Sequence, residues 1–252
     1  MPLTEQFVRN LQRFRLVTFD VTDTLIKLKD PVTQYLQTAA ACGVRDINRT
    51  NFERCFRQQF KLMSEQHSNF GCHTIGWQNW WRQLVINTFN CADATVPQDK
   101  LPAIAEHLLN VFRTSACWSH VDCAADLVQC VRGIGKSVGV ISNFDASLPK
   151  VLKAMDFDDK FDFVLTSYEA GVMKPDPSIF EIPVKMLSIE PNQALHIGNK
   201  FDMDYIGARQ SGWSSLLVQS QFEPATSEEA RRHSYPSIAQ MLYALEFEEI
   251  NW

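Results

Sequence analysis

The stretch LVTFDVTDTL, residues 16–25, starts as an apolar run and ends on a carboxylate that is followed by hydroxyl groups. The apolar run predicts a short buried strand over residues 15–20, which places Asp20 at the end of that strand. Open parallel sheets bind their ligands in the crevice outside the carboxyl ends of the strands. Asp20 is therefore the first candidate for a residue that carries chemistry.

The second half of the chain has a pattern typical of a parallel sheet, because short apolar segments alternate with segments of helical periodicity. The predicted strands cover 136–143, 161–167, 193–199 and 214–220, and the predicted helices cover 147–155, 177–188 and 202–211. A polar surface connection over 221–234 and a closing helix over 236–247 complete this half. Strands that alternate with helices form a parallel sheet with helices on both faces, so the predicted fold class is α/β, of the Rossmann-like type.

The segment between the first strand and this second half has a different pattern. No convincing strand is visible from 28 to 118, where apolar residues recur at helical spacing over 50–63, 75–89 and 102–112. The simplest arrangement is an α/β core domain, made of residues 1–27 and 119–252, that is interrupted by an inserted α-helical domain over residues 28–118.

Composition excludes several classes of function. The chain has 252 residues and a net charge of −5, which argues against general binding to nucleic acid or to acidic membranes. No apolar run reaches the ~20 residues that a membrane-spanning helix needs. Seven cysteines without regular spacing favour free thiols in a reducing compartment. We expect the cytoplasm, although the same features are compatible with the nucleus or the mitochondrion.

Polar side chains stand at or after the ends of four predicted core strands. In chain order these are Asp20 and Thr22; Ser142 and Asn143; Lys174; and Asn199, Asp202 and Asp204. Each has an ordinary interpretation on its own, as a turn residue, a loop hydrogen-bonder or a solvated charge. In a parallel sheet, however, all carboxyl ends lie at one edge, so these residues are expected to meet in one cleft.

These segments resemble the four sequence motifs of the haloacid dehalogenase superfamily of hydrolases. FDVTDTL resembles the first motif, ISNFD the second, GVMKPDPSIF the third, and HIGNKFDMDYIGA the fourth. The resemblance extends over the whole chain. It implies a Rossmann-like core in which the helical insertion is a cap domain placed after the first strand.

The resemblance also implies a phosphatase-like chemistry. Asp20 would attack a phosphoryl group and form an aspartyl-phosphate, which divides one displacement into two. Ser142 and Asn143 would bind phosphoryl oxygens together with neighbouring backbone amides. Lys174 would bind the phosphate and offset the negative charge of Asp20 and the phosphoryl group.

A magnesium ion is the cofactor that the resemblance implies. Its ligands would be Asp20, the backbone carbonyl of Thr22 and oxygen atoms from the fourth motif, all of them hard donors that suit Mg²⁺. Within that motif we favour Asn199 and Asp204, because Asp204 stands at the family's spacing before Tyr-Ile-Gly-Ala. Asp202 is an alternative ligand.

Two positions depart from the pattern of an efficient phosphatase. The aspartate that serves this family as general acid and base is replaced by Thr22, and loss of such a group typically costs ~10²–10⁴-fold in rate. Asp23 does not replace it, because successive residues of an extended chain face opposite sides. Asn199 stands where the family usually has a metal-binding aspartate, so the site loses one negative charge. We therefore expect weak Mg²⁺ binding and impaired activity.

Three functions remain open from the sequence. The first is a Mg²⁺-dependent phosphohydrolase of low turnover that acts on a small-molecule phosphorylated substrate. The second is a phosphate-binding or regulatory module with degraded catalysis. The third is a metal-free hydrolase of the haloacid dehalogenase type. It ranks last because such enzymes usually have an aromatic residue at the position of Thr22 and an early arginine in the cap, whereas no arginine precedes Arg45 in the insertion.

Overall fold

The structure, a computed structural model, describes residues 3–219 and 228–252. The predicted polar connection over 221–234 therefore lies, through residue 227, outside the described residues. No helix within the described ranges is both long and apolar enough to cross a membrane.

The strands form a parallel sheet, as the sequence predicts. In chain order they are β1 (Leu16–Phe19), β2 (Ile26–Leu28), β3 (Trp118–His120), β4 (Ser137–Ser142), β5 (Phe163–Thr166), β6 (Ala194–Gly198), β7 (Ser214–Val218) and β8 (Ser234–Tyr235). Six of them make one sheet in the order β5-β4-β1-β6-β7-β8, and all neighbours are parallel. β2 and β3 pair separately. The prediction missed β2, β3 and β8, whose two or three residues are too few to show a pattern.

Six of the predicted helical segments agree with observed helices to within a few residues, and the structure contains further helices that were not among the predicted segments. The helices are α1 (Glu5–Leu11), α2 (Pro31–Ala41), α3 (Arg49–Gln66), α4 (Ser68–Gly71), α5 (Trp77–Ala92), α6 (Leu101–Val111), α7 (Ala124–Gly133), α8 (Leu148–Ala154), α9 (Ser167–Ala170), α10 (Pro177–Leu187), α11 (Gly207–Gln210), α12 (Glu228–Arg232) and α13 (Ile238–Phe247). Short 3₁₀ turns cover Ser115–Cys117 and Pro191–Gln193. The predicted helix over 202–211 instead begins as a π-helical turn, Phe201–Ile206.

One compact unit contains the six-stranded sheet and comprises Met1–Lys27, His120–Asn143 and Asp156–Trp252. β1, β6 and β7 are buried along their whole length, as expected for central strands of a covered parallel sheet. Leu16, Ile141 and Phe180 belong to one apolar cluster of this unit. α10 begins as the sequence predicts, because Asp176 accepts a hydrogen bond from the backbone of Ser178.

A second compact unit comprises Leu28–Ser119 and Phe144–Met155. Its helices surround an apolar cluster that includes Tyr35, Phe52 and Phe89. Residues 144–155, which the sequence analysis placed in the core domain, group with this unit instead. The change from one unit to the other falls directly after β4, and no composition change marks that point.

A disulfide joins Cys55 of α3 to Cys91 of α5. This corrects the expectation that the cysteines are all free thiols. An odd count of cysteines leaves room for one pair, and five other cysteines are free. The cysteine count consequently no longer argues for a reducing compartment.

Candidate active site

The candidate site lies at the carboxyl edge of the sheet, where three neighbouring strands end. Asp20 directly follows β1, Ser142 is the last residue of β4, and Asn199 directly follows β6. β1 lies between β4 and β6 in the sheet, so these three residues occupy adjacent strand ends. The backbone of Asp20 is held to β6 by a hydrogen bond from its N–H to the carbonyl of Ile197, 2.8 Å long.

Lys174 is the centre of a buried charge cluster at this edge. Its Nζ lies 2.7 Å from Asp20 Oδ1 and 2.6 Å from Asp204 Oδ1. The third contact of Nζ is the carbonyl oxygen of Ile141, at 2.8 Å. The three N–H donors of the ammonium are therefore all used within the protein. The ammonium of Lys174 therefore has no N–H group left over for a further hydrogen bond.

The three charged groups of the cluster differ in proton affinity. Burial by itself lowers the pKa of Lys174, but Asp20 and Asp204 outweigh it and raise that pKa above its usual value. Burial raises the pKa of Asp20, which Lys174 offsets only in part. Burial also acts to raise the pKa of Asp204, but Lys174 and His196 outweigh it and hold that pKa below its usual range. Asp204 is thus the stable anion of the cluster.

Asp204 has no coordination position left for a metal ion. Its Oδ1 accepts hydrogen bonds from Lys174 and from His196, the latter at 3.2 Å. Its Oδ2 accepts from the backbone N–H groups of Asn199, at 3.0 Å, and Lys200, at 2.8 Å. Four donors occupy the roughly four acceptor positions of a carboxylate. The sequence-based assignment of Asp204 as a metal ligand therefore does not fit this geometry, and the residue holds Lys174 instead.

Close packing at Gly198 reinforces this arrangement. A Cβ at this position would lie 2.3 Å from Cγ of Asp204, far inside any real contact distance. The glycine that ends β6 thereby lets the Asp204 carboxylate fold back against the strand end, where the two backbone N–H groups meet it.

The remaining predicted ligands do fit magnesium. The side-chain oxygen of Asn199 is buried and has no hydrogen-bond partner among the described residues, an unusual condition for a polar atom. Asp20 uses only Oδ1 in its contact with Lys174. Together with the carbonyl of Thr22 these are hard oxygen donors, which Mg²⁺ prefers. Residues 3–219 and 228–252 contain no group of three or more His, Cys, Asp or Glu side chains that could hold a metal ion.

Replacing Asn199 with aspartate is expected to tighten Mg²⁺ binding by ~10-fold, because affinity rises with the charge of the ligand set. In the metal-free protein the new buried carboxylate costs stability. Mg²⁺ should consequently raise the melting temperature of Asn199→Asp more than that of the wild type. Titration calorimetry and thermal melts check both effects, with Asp202→Asn, at an exposed position, as the control. Equal affinities in Asn199→Asp and wild type would show that residue 199 does not contact the ion.

The two residues of the second motif have different roles. The side-chain amide of Asn143 receives the backbone N–H of Lys174 at 2.8 Å and donates to the carbonyl of Lys174 at 2.9 Å. Its amide is thus engaged in fixing the Lys174 backbone, which differs from its expected role in binding phosphate. Ser142 is 2 % exposed, and its hydroxyl has no hydrogen-bond partner among the described residues. A nearly buried hydroxyl without a partner is suited to receive a ligand.

The turn after Asp20 contributes no carboxylate that could serve as a general acid or base. Thr22 is half-buried, and Asp23 is exposed in a left-handed conformation with φ of 61°. The backbone N–H of Asp23 donates a hydrogen bond to the carbonyl of Ile26, 2.7 Å long. The Asp23 carboxylate makes no hydrogen bond or ion pair within the described part of the chain. The turn that this position adopts therefore does not bring Asp23 into the cluster.

Sequence reasoning missed Thr18 and His196, both fully buried beneath the charge cluster. They are cross-strand neighbours in the register of β1 and β6. A signal was present, because each is the polar residue in the middle of an otherwise apolar strand. A buried polar side chain needs a partner, and two such residues at matching positions of adjacent strands can supply it.

Comparison with known proteins identifies the family. The family model of haloacid dehalogenase-like hydrolases matches residues 14–212. The Drosophila melanogaster protein named rhythmically expressed gene 2 protein is 37% identical over 222 residues, which cover 84% of this chain and 85% of the relative. The human haloacid dehalogenase-like hydrolase domain-containing protein 3 is 35% identical over 238 residues, covering 93% and 94%.

Solved structures show the same fold at lower identity. A crystal structure of a dehalogenase superimposes with a TM-score of 0.68 at 20% identity and covers 92% of this chain and 97% of its own. A phosphatase from Thermococcus onnurineus superimposes with a TM-score of 0.61 at 17% identity, covering 94% and 100%. The sequence motifs, the family model and the relatives agree with this fold. The chain belongs to the haloacid dehalogenase-like hydrolase family.

Proposed function

We propose that the protein is a Mg²⁺-dependent hydrolase of small-molecule phosphate esters that uses Asp20 as its nucleophile. The observation that carries this proposal is the hydrogen bonding of the Asp20 carboxylate. One of its oxygens is held by Lys174, and the other accepts no hydrogen bond from the described residues. Ser142, whose hydroxyl has no partner among the described residues, comes directly after Ile141 in the chain. The carbonyl of Ile141 accepts a hydrogen bond from Lys174. A nucleophile and a ligand for the phosphoryl group thus occur around one cation.

The first half of the reaction forms a bond between Asp20 and phosphorus while the bond from phosphorus to the ester oxygen breaks. Lys174 keeps Asp20 ionised for the attack and offsets negative charge as the phosphoryl group approaches. Ser142 orients that group by donating its hydroxyl proton to a phosphoryl oxygen. When bound by Asp20, the carbonyl of Thr22 and Asn199, Mg²⁺ supplies further charge neutralisation on the phosphoryl oxygens.

Proton transfer is the weak part of this chemistry. The departing alkoxide needs a proton, and the water that later hydrolyses the aspartyl-phosphate must lose one. Thr22 supplies neither function, and Asp23 is exposed outside the cluster. Turnover should therefore be slow, while phosphorylation of Asp20 by donors with good leaving groups remains efficient.

Covalent trapping tests the proposal. We expect acetyl phosphate with Mg²⁺ to add one phosphoryl group to the protein, seen by mass spectrometry after acid quench and located on Asp20 by peptide mapping. Asp20→Asn should stay unmodified, and chelation of the metal should suppress the modification.

Two other results would point to the other candidate functions. Saturable phosphate binding without any phosphorylation of Asp20 would indicate a binding module. Release of halide from 2-haloacids that is insensitive to chelators would indicate a dehalogenase. Either result would refute the proposed reaction.

A further inference from the structure

A chain of buried hydrogen bonds extends from the charge cluster into the sheet. His196 Nε2 lies 3.2 Å from Asp204 Oδ1, the same oxygen that receives Lys174. On the other side of the ring, His196 Nδ1 lies 2.8 Å from the hydroxyl of Thr18. Both residues are 0% exposed, so water cannot substitute for a missing partner. The ring edge also packs against Phe180, at a centroid distance of 5.4 Å.

These contacts determine the tautomer of His196. Asp204 is ionised and can only accept, so Nε2 must carry the proton. A neutral ring then accepts at Nδ1, and the donor is the hydroxyl of Thr18. A doubly protonated ring would require that hydroxyl to donate elsewhere, and the carbonyl of Leu195 is 3.5 Å away, a long contact. Burial lowers the pKa of His196, which agrees with a neutral ring.

We propose that His196 is a positioning residue of the active site: in its neutral Nε2–H form it holds Asp204 in the orientation that sets Lys174 against Asp20, and Thr18 selects that form. His196 does not touch the reacting atoms. Its effect is transmitted through Asp204, and the kinetic part of this inference rests on the proposed hydrolysis.

The reason for this role is competition at a single oxygen. Asp204 Oδ1 receives both His196 and Lys174, whereas Asp20 receives only Lys174. If the histidine donor is removed, Oδ1 attracts the ammonium more strongly and Lys174 is drawn away from Asp20. The orientation of the Asp204 carboxylate also loses one of its four donors. The nucleophile would then lose the cation that keeps it ionised.

The tautomer can be measured without any enzymatic activity. In protein labelled with nitrogen-15 histidine, His196 is identified by the signals that disappear in His196→Gln. At about pH 7.5 we expect a protonated Nε2 and an unprotonated Nδ1 in the wild type. Thr18→Val, which removes the hydroxyl at nearly constant volume, should shift or broaden the Nδ1 signal. Thr166→Val, another fully buried threonine of the sheet, should leave it unchanged. An Nδ1–H or doubly protonated ring in the wild type would overturn the inference.

Kinetics separate positioning from packing. His196→Leu should lower kcat for phosphate esters by ~10-fold to ~100-fold, the range expected for loss of a hydrogen bond to a charged group, with little change in KM. His196→Gln restores an N–H donor and should recover most of that loss. Equal losses in the two variants would leave a purely structural role and contradict the inference. If the wild type hydrolyses no ester at all, the proposed function fails, and the tautomer measurement still decides the positioning of Asp204.

Discussion

Replacing Lys174 with methionine should destabilise the metal-free protein by about 3–5 kcal/mol, as expected when one partner of a buried ion pair is removed. Methionine keeps the unbranched shape of the lysine stem but removes the ammonium. Asp20 and Asp204, both bonded to that ammonium, would remain as buried carboxylates that repel each other. The free energy of unfolding, measured by urea denaturation in the presence of a chelator, checks this value.

The pH dependence of Lys174→Met should have a defined sign. In the wild type, the lowered pKa of Asp204 contributes stability that is present above the carboxyl's unfolded pKa and is lost as pH falls through its folded pKa. In the variant, Asp20 has lost the one side-chain hydrogen-bond donor that it has among the described residues, and burial raises its pKa further. The folded state then binds a proton more tightly than the unfolded state. Stability of the variant should consequently rise as pH falls from about 7 to about 5.

A double substitution provides the matched control. In Asp20→Asn/Lys174→Met one of the two stranded charges is replaced by a neutral amide of similar shape. This double variant should be more stable than Lys174→Met alone, and its stability should depend less on pH. Equal stability of the two proteins would mean that Asp20 is not the charge that Lys174 neutralises, against the 2.7 Å contact between them.

Replacing Thr22 with aspartate should accelerate hydrolysis of a simple alkyl phosphate by ~10-fold or more, within the range that general acid–base catalysis supplies. An alkyl alkoxide is a poor leaving group and needs a proton, which a carboxyl group at position 22 can donate. The same group can then activate the water that attacks the aspartyl-phosphate. Thr22 follows Asp20 by two residues and is half-buried, so the position has access to solvent for proton exchange.

Two comparisons isolate the proton from other effects of this substitution. The asparagine introduced by Thr22→Asn has nearly the shape of aspartate, but its amide cannot serve as a general acid or base. Thr22→Asn should therefore not accelerate the reaction. The phenolate of an aryl phosphate leaves without protonation when the phenol is acidic. Phosphorylation of Asp20 by such a substrate should therefore gain little from Thr22→Asp. Steady-state rates on both substrate types, with phosphorylated Asp20 measured after acid quench, make the test. Identical behaviour of the Asp and Asn variants would place the rate limit at the metal site or in the choice of substrate.

The sheet and the chemical character of the site could be predicted because each depends on local sequence. Apolar runs such as LVTF and ALHIG show buried strands directly, and parallel strands bring their ends to one edge. Asp20, Lys174 and Ser142 were found in this way. β8 could not be predicted because two residues show no period, and the grouping of residues 144–155 with the second unit could not be predicted because no change of composition marks it.

The assignments of Asn143 and Asp204 needed three-dimensional information. Both have oxygen atoms that suit a phosphate or metal site, and sequence spacing does not show which oxygens are already used. The carboxylate of Asp204 accepts hydrogen bonds from Lys174, from His196 and from the two backbone N–H groups that precede its π-helical turn. The side-chain amide of Asn143 is hydrogen-bonded to the backbone N–H and carbonyl of Lys174. The residue type shows which donor and acceptor groups are present. Only the hydrogen bonds in the structure show which of those groups are free to bind a ligand.

The central place of β1 in the sheet has a consequence for how the protein is made. β1 lies between β4 and β6, both of which follow it at long range along the chain. Asp20 and Lys174 are 154 residues apart, and Thr18 and His196 are 178 residues apart. At ~5–20 residues per second, a ribosome needs roughly ten to forty seconds to deliver the partners of β1. Until β4 has been made, the apolar strand that ends at Asp20 has neither of these sheet neighbours, whereas the helical insertion has already been synthesised.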